Sequence, residues 1–471
     1  MSQKRNLAGW CCALVTIGAV VIPAAIASAQ ADGRRIYDEQ LRVELDEQAP
    51  QQREIGADVG GWLSFALFSY DDALARKVRT LRQYQARAWA KANFRGVHQG
   101  YVRVLWGYDD WNTGDDPLGR DDEDTDFQLE RAWYQLDVGR LLAPGAVQRG
   151  PVGLKVKVGR DYAQIGSALV LSLPLDLVQF DVTAGDWEFK ALLGKSLSHT
   201  RNIDDSEPVA RHMERCFYGL EAAYKGFSRH RPYAYVLLNR DHTGEKPDDA
   251  FQSYKYDSNY VGVGSEGTVL LPDLRYLVEA VGEWGKNYSE NQVTGRDRVC
   301  AFALDAQLEY LWRRAMHPKV SAEYLFASGD SDRRLSANST IGGNLAGTQD
   351  NAFNAFGFRD TGLALAPRIS NLHMYSLGAS FFPLEKIDLF RKMEIGTKVF
   401  FYQKHRSGGP ISDTGATKDS HWLGWEWDVF CDWRITSDLT WTIRYGAFRP
   451  GAAYTNDDCR DFVYTAFTYS F

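Results

Sequence analysis

From Phe302 the chain alternates. Phe302, Leu304, Ala306, Leu308, Tyr310 and Trp312 are apolar, and Asp305, Gln307 and Glu309 fall between them. A helix would scatter those carboxylates around its circumference, whereas a strand puts them all on one face. The segment from Leu274 repeats the pattern, with Leu274, Tyr276, Val278, Ala280 and Trp284 set against Arg275, Glu279 and Glu283. From Trp425 the apolar set is Trp425, Trp427, Val429, Cys431 and Trp433, and the polar set is Glu426, Asp428, Asp432 and Arg434. Extended along the chain, the alternation predicts about eighteen strands. They fall at 57–69, 80–94, 97–107, 125–139, 151–161, 176–184, 186–197, 212–226, 232–240, 254–266, 273–286, 297–313, 318–328, 367–383, 389–404, 421–435, 438–448 and 461–471.

Many of these runs are longer than the five or six residues usual in soluble sheets, and they suit strands that cross a bilayer obliquely. The links alternate in length. Short ones fall near Arg95-Gly96, Ala184-Gly185, Phe227–His230, Arg314–His317, Leu384–Asp388 and Thr436-Ser437. Long polar ones occupy 108–124, 198–211, 241–253, 329–366, 405–420 and 449–460. Tight turns on one side and long loops on the other are the plan of an outer-membrane barrel. Lipid cannot satisfy an open sheet edge, so the expected fold is all-β, a closed antiparallel transmembrane β-barrel. An even strand count places both ends in the periplasm. Eighteen strands enclose more space than their own side chains fill, so water or inserted loops must occupy the lumen.

The ends agree with export. Lys4 and Arg5 precede an apolar run from Trp10 to Ile26, and Ala27-Ser28-Ala29 offers a small-x-small cleavage motif, so residues 1–29 read as a signal peptide. Residues 30–56 are then an N-terminal periplasmic arm, and 57–471 the barrel. The last residues alternate as Val463, Thr465, Phe467, Tyr469 and Phe471. Such a tail resembles the signal read by the barrel assembly machinery, an expected partner along with outer-membrane lipid.

Composition narrows the function. Aromatic residues make up 13% of the chain, as the interfacial girdles of a barrel require. The formal charge is −7, and −9 once Lys4 and Arg5 leave with the leader, so a nucleic-acid partner is not expected. Cys216, Cys300, Cys431 and Cys459 remain after cleavage at spacings that suggest no disulfide framework. The acidic stretch Asp115-Asp116 with Asp121–Asp124 has no EF-hand spacing and reads as a solvated loop. Gly262–Gly267 matches GxGxxG, but Val269-Leu-Leu-Pro272 starts no helix, so the match is a turn. With no HExxH and no GxSxG, neither an enzyme nor a cofactor is expected.

By parity the lumen receives charges of both signs. Its cations include Arg87, Arg103, Arg131, Lys157, Arg368, Lys398 and Arg444, and its carboxylates include Glu279, Glu283, Asp305, Glu323, Glu426, Asp428 and Asp432. Mixed charges of this kind hydrate a wall and pair across strands. A cluster of arginines would instead form a selective constriction for anions.

Arg444-Tyr-Gly-Ala-Phe-Arg-Pro-Gly-Ala-Ala-Tyr454 before the terminal strand is similar to the closing strand pair of the alginate export porin family. Further similar stretches are Glu130-Arg131-Ala-Trp-Tyr, Val158-Gly159-Arg160, Ala327-Ser-Gly-Asp330 and Ser370-Asn371-Leu372, and the likeness runs from about Leu81 to the end. The resemblance implies an arginine-rich conduit passing a linear anionic polysaccharide outward, gated by a long extracellular loop and a periplasmic turn, with partners in a periplasmic export complex. It carries Arg131, Arg160 and Arg444 over as conduit residues, and places Arg359 and Arg368 near a family arginine region. Parity supports Arg131 and Arg444, but alternation from Val152 turns Arg160 toward lipid unless Gly159 introduces a bulge. The link 329–366, rich in Gly, Asn and Ser, has the length and composition to fold inward as a gate. A diffusion porin for small solutes is the alternative reading.

Overall fold

The computed structural model describes residues 55–72, 76–116, 122–142, 152–198, 200, 203, 213–243, 255–287, 296–333, 336–337 and 344–471. The expected signal peptide, and all but the last two residues of the expected arm, lie outside the described residues. The strands are β1 (Ile55–Asp72), β2 (Lys77–Phe94), β3 (His98–Trp111), β4 (Glu123–Asp137), β5 (Val152–Ile165), β6 (Leu171–Ala184), β7 (Trp187–Ser196), β8 (Arg215–Tyr224) and β9 (His230–Asp241). They continue as β10 (Asp257–Thr268), β11 (Leu274–Asn287), β12 (Asp297–Leu311), β13 (Lys319–Ala327), β14 (Leu372–Phe381), β15 (Met393–Lys404), β16 (Trp422–Arg434), β17 (Leu439–Pro450) and β18 (Arg460–Ser470). A short helix, α1 (Val138–Leu142), follows β4.

All eighteen form one sheet in which each strand pairs antiparallel with its sequence neighbours. The sheet closes where β1 meets β18, from Trp62 opposite Ser470 to Tyr70 opposite Phe462. Beyond that ladder, the Gly61 and Phe471 amides each donate to the other's carbonyl at 3.0 Å. With no edge left, every strand can sit in hydrocarbon.

The alternation read from the sequence is the alternation of surfaces. On β12 Phe302 and Leu308 are 43% and 48% exposed, while Asp305 is fully buried. On β16 Trp425 and Trp427 face out, and Glu426 and Asp428 are buried. The expected strands are all present, with ends displaced by a few residues. The largest displacements are at β6, which starts at Leu171 rather than 176, and at β14, which starts at Leu372 rather than 367 because the described part of 328–371 first turns into the barrel.

That link, here called the strap, and the short link 166–170 between β5 and β6 fill much of the lumen. Strap residues Phe353, Phe356 and Leu365 pack with Leu169 and Val170 of the short link. Around them lie inward side chains such as Leu175, Phe217, Leu237, Tyr260, Leu325, Phe400 and Phe448. Phe356 bridges to Leu171 as a strand would. The inserted chain thus buries an apolar core inside a barrel too wide to form one alone.

Leu220 lies at the middle of β8, 57% exposed on the outer face. Leu220→Arg is expected to destabilise the barrel by about 2–4 kcal/mol, the cost of a cation at bilayer midplane. Folding titrations into lipid vesicles check this, and an unaltered midpoint would refute the outward assignment.

Candidate functional site

The two ends of the strap are pinned together at the rim. The Phe302 amide donates to Ser328 Oγ at 2.9 Å, and that hydroxyl donates to the Asn351 carbonyl at 2.8 Å. The Asn371 amide donates to the Ser328 carbonyl at 3.1 Å. Asn371 also holds the next extracellular link, its Nδ2 donating to the Pro410 carbonyl at 2.9 Å and its Oδ1 accepting from Arg406 at 2.7 Å. Asp330 accepts from the Asn351 amide at 2.7 Å. The Ala327–Asp330 and Ser370–Leu372 motifs are therefore the clasp at the root of the strap.

From that root the strap dips inside. The Asn354 amide donates to Glu283 on β11 at 2.9 Å. Arg359 Nε lies 2.5 Å from Asp305 on β12, and its Nη1 donates to the Ser167 carbonyl at 2.7 Å. Asp305 lies eight residues from the extracellular end of its strand, roughly 25 Å along the chain. Burial alone would lower the pKa of Arg359, but the charges of Asp305 and Glu279 outweigh it and raise the pKa, so the guanidinium stays charged. Asp360 then meets Lys398 on β15 at 3.1 Å. The amides of Leu363, Ala364 and Leu365 all donate to the carboxylate of Glu426 on β16, the latter two at 2.6 and 2.8 Å. Leu363 ends against Ala66, Phe68, Phe462 and Ala466 of β1 and β18. Gly446 of the C-terminal motif lies beneath it, because a Cβ there would come within 2.6 Å of Leu363 Cβ.

Three lumenal carboxylates, Glu283, Asp305 and Glu426, thus anchor the strap. Glu279 holds the short link instead, accepting from the Ser167 amide at 2.7 Å and the Tyr235 hydroxyl at 2.8 Å.

The arginines gather on the wall of β2 to β5. Arg103 and Arg131 stand opposite each other in the β3–β4 ladder. A bulge inserts Glu130 just before Arg131, so that both point inward instead of alternating. Glu130 lies 2.9 Å from Arg87 and 2.8 Å from Arg103. Asp161 receives Arg131 Nε at 2.6 Å and Lys157 at 3.0 Å. Rings underlie the cations. Arg87 and Arg103 lie over Trp62 at 5.6 and 5.5 Å, Arg131 over Tyr101 at 5.4 Å, and Lys157 over Trp133 at 4.7 Å. The result is a basic row backed by aromatic faces and grouped, among the described residues, around Glu130 and Asp161. Parity alone missed Glu130, since only the bulge turns it inward. The aromatic rings left a signal in the sequence: Trp89, Tyr101 and Trp133 occupy positions that should be polar.

Arg444 faces the lumen on β17, its Nη2 donating to both Asp432 oxygens at 2.6 and 2.7 Å and its guanidinium lying 5.0 Å from the Phe430 ring. Two expected conduit residues are elsewhere. No bulge accompanies Gly159, and Arg160 faces outward, pairing at 2.9 Å with Asp176, itself 53% exposed. The outward residues below it, Val152, Leu154, Val156 and Val158, are apolar, so Arg160 caps the lipid-facing band of β5. Arg368 precedes β14 on the strap, where its Nη1 donates to the Ile203 carbonyl at 2.7 Å.

Residues 175–466, more than half of the chain, match the family described as "Alginate export". The chain belongs to that family. Arg103, Arg131 and Arg160 precede the matched span; the strap and Arg444 lie within it. No curated protein matches. Among solved structures, the outer membrane protein opdK from Pseudomonas aeruginosa superposes with a TM-score of 0.52 at 10% identity, over 88% of this chain and 98% of its own. OccK2 (OpdF), solved from the same organism in complex with glucuronate, gives 0.51 at 12% identity with the same coverages. OccK5 (OpdH) gives 0.50 at 12%, again over 88% and 98%. These likenesses are of fold. With the family they establish an outer-membrane pore.

Glu130→Gln removes one negative charge from the basic row. For a monovalent anion passing about 10 Å away through water this is worth about 0.4 kcal/mol, roughly a twofold gain in anion permeation, with an equal loss for a monovalent cation. Reversal potentials across a salt gradient should shift toward anion selectivity; unchanged potentials would show that Glu130 does not face the permeation path.

Proposed function

We propose that this alginate-export protein is a non-enzymatic conduit through which a linear anionic polysaccharide, a polyuronate, leaves the periplasm. The observation that carries this is the basic row of Arg87, Arg103, Arg131 and Lys157 over Trp62, Tyr101 and Trp133 on the inward wall, in a lumen where Glu283, Asp305 and Glu426 are taken up by the strap. Guanidinium forks suit carboxylates, and aromatic faces suit the apolar face of a sugar ring. Arg444 extends the cationic surface on β17. Synthesis at the inner membrane supplies the drive, handed on through periplasmic partners. Recognition by the barrel assembly machinery is supported by β18, whose outward Val463, Phe467 and Tyr469 lead to Phe471. Residues 1–29 act as the export signal and 30–56 as a periplasmic arm that leads into β1.

A diffusion pore for small acids is the second reading, favoured by the glucuronate held by OccK2 (OpdF). Planar-bilayer conductance separates the two. Export predicts block by long polyuronate and not by neutral glycans of equal length, whereas a pore for small acids predicts block that weakens as the chain lengthens.

Arg131→Glu and Arg444→Glu each exchange one positive for one negative charge. By the same Coulomb scale that is about 0.8 kcal/mol, roughly a fourfold loss of anion permeation for each variant. Unchanged reversal potentials in both would count decisively against the arginine conduit.

A further inference from the structure

The strap is held unequally at its two sides. Near its root it is tied by backbone pairing as well as side chains: Asp350 bridges to Val299 and Phe356 to Leu171, and Arg333 and Arg359 meet Asp350 and Asp305. At its far side no strand pairing is present among the described residues. There the chain turns through Gly362 and Ala366, at φ of 106° and 43°, and these two positions bracket the three amides that converge on Glu426. The geometry is a backbone cradle around one carboxylate that is fully buried. Tyr402 completes it, donating to the Thr361 carbonyl at 2.8 Å with its oxygen 3.3 Å from Glu426. Further far-side contacts are the Lys398–Asp360 pair, the packing of Leu363 and Leu365, and the bonds of Arg368 to Ser412 and Ile203.

We infer that, in the conduit proposed above, Glu426 is the positioning residue that sets the bore: it latches the far side of the strap across the lumen, and its loss frees that side while the root stays clasped. The chemistry is specific to a carboxylate. Its two oxygens accept three N–H groups, and charge-assisted bonds of this kind are the stronger ones. A glutamine has one acceptor oxygen and turns an NH₂ toward amides that also donate. Glu426→Gln therefore keeps the size of the side chain and reverses its fit. The lumenal arginines lie elsewhere: Arg444 and Asp432 are farther along the wall toward the periplasm, Asp432 roughly 20 Å along β16 from Glu426.

The test uses the full-length protein, purified as a folded barrel and checked by heat-modifiable gel mobility. Wild type, Glu426→Gln and Leu363→Asp are compared in planar bilayers for single-channel conductance and for the largest neutral polyethylene glycol that enters. Leu363→Asp alters only the strap, setting a second carboxylate into the apolar contact with Ala66 and Phe462 and beside Asp428. Both variants are expected to raise conductance about twofold or more and to admit larger polymers, since a freed strap widens the narrowest section. Folded Glu426→Gln with wild-type conductance and cut-off overturns the latch. If that variant yields no folded barrel, Leu363→Asp decides on the same two readings. Polyuronate block of the wild type is scored separately. Its absence removes the export reading and leaves the bore result standing, whereas intact block with unchanged bore removes the latch alone.

Discussion

The structure depends on a closed ring of backbone hydrogen bonds. Hydrocarbon offers no partner for an unpaired amide or carbonyl, so the sheet cannot stop at an edge. Joining β1 to β18 solves that problem and creates another. A ring of eighteen strands encloses a lumen that inward side chains do not span. Left to water alone, it would be a wide and unselective hole. The strap and the link 166–170 are the answer in this chain. They carry Phe353, Phe356, Leu169 and Val170 inward, giving the barrel an apolar interior such as a soluble domain has.

Burying a loop brings its own constraint, because its backbone groups lose water as they enter. The lumenal carboxylates meet that need. Glu279, Glu283 and Glu426 accept main-chain amides from the inserted segments, and Asp305 neutralises Arg359. A wall that seems hostile to anions when read as a string of acids is therefore much less so once folded. The acids face amides and guanidinium groups of the chain itself.

The barrel was legible because its signal is local and repeated. Period-two alternation such as that from Phe302 to Tyr310 needs no tertiary knowledge to interpret, and the outward faces follow it. The site was less legible, for physical reasons visible at particular residues. Parity holds only while the ladder is regular, so the bulge at Glu130 hid an inward carboxylate. At Gly159 a bulge was conceivable and none formed, which leaves Arg160 outside with Asp176. Arg368 was assigned to a strand that in fact begins later, since nothing in its own alternation shows that the preceding chain has folded inward. Of the short motifs, Ala327–Asp330 and Ser370–Leu372 clasp the strap, and Gly446 of the C-terminal motif seats it. That function appears only when Ser328, Asn371 and Gly446 are seen beside their partners.

For a conduit, strong binding is as harmful as none, because a polymer must leave each contact to advance. Bare arginines in a narrow lumen would hold a polyanion too firmly: two unit charges 4 Å apart are worth about 4 kcal/mol at an effective dielectric of 20. In this chain the cations already have carboxylate neighbours, Glu130 between Arg87 and Arg103, Asp161 between Arg131 and Lys157, and Asp432 beside Arg444. Under the export reading an incoming uronate exchanges one carboxylate contact for another, and most of the Coulomb energy cancels between the states before and after. The aromatic rings beneath fix the guanidinium planes and reduce the conformational freedom lost at each exchange. Under the export reading, partly neutralised arginines on an aromatic floor make the wall permissive to sliding, and the paired acids are as necessary to that as the bases.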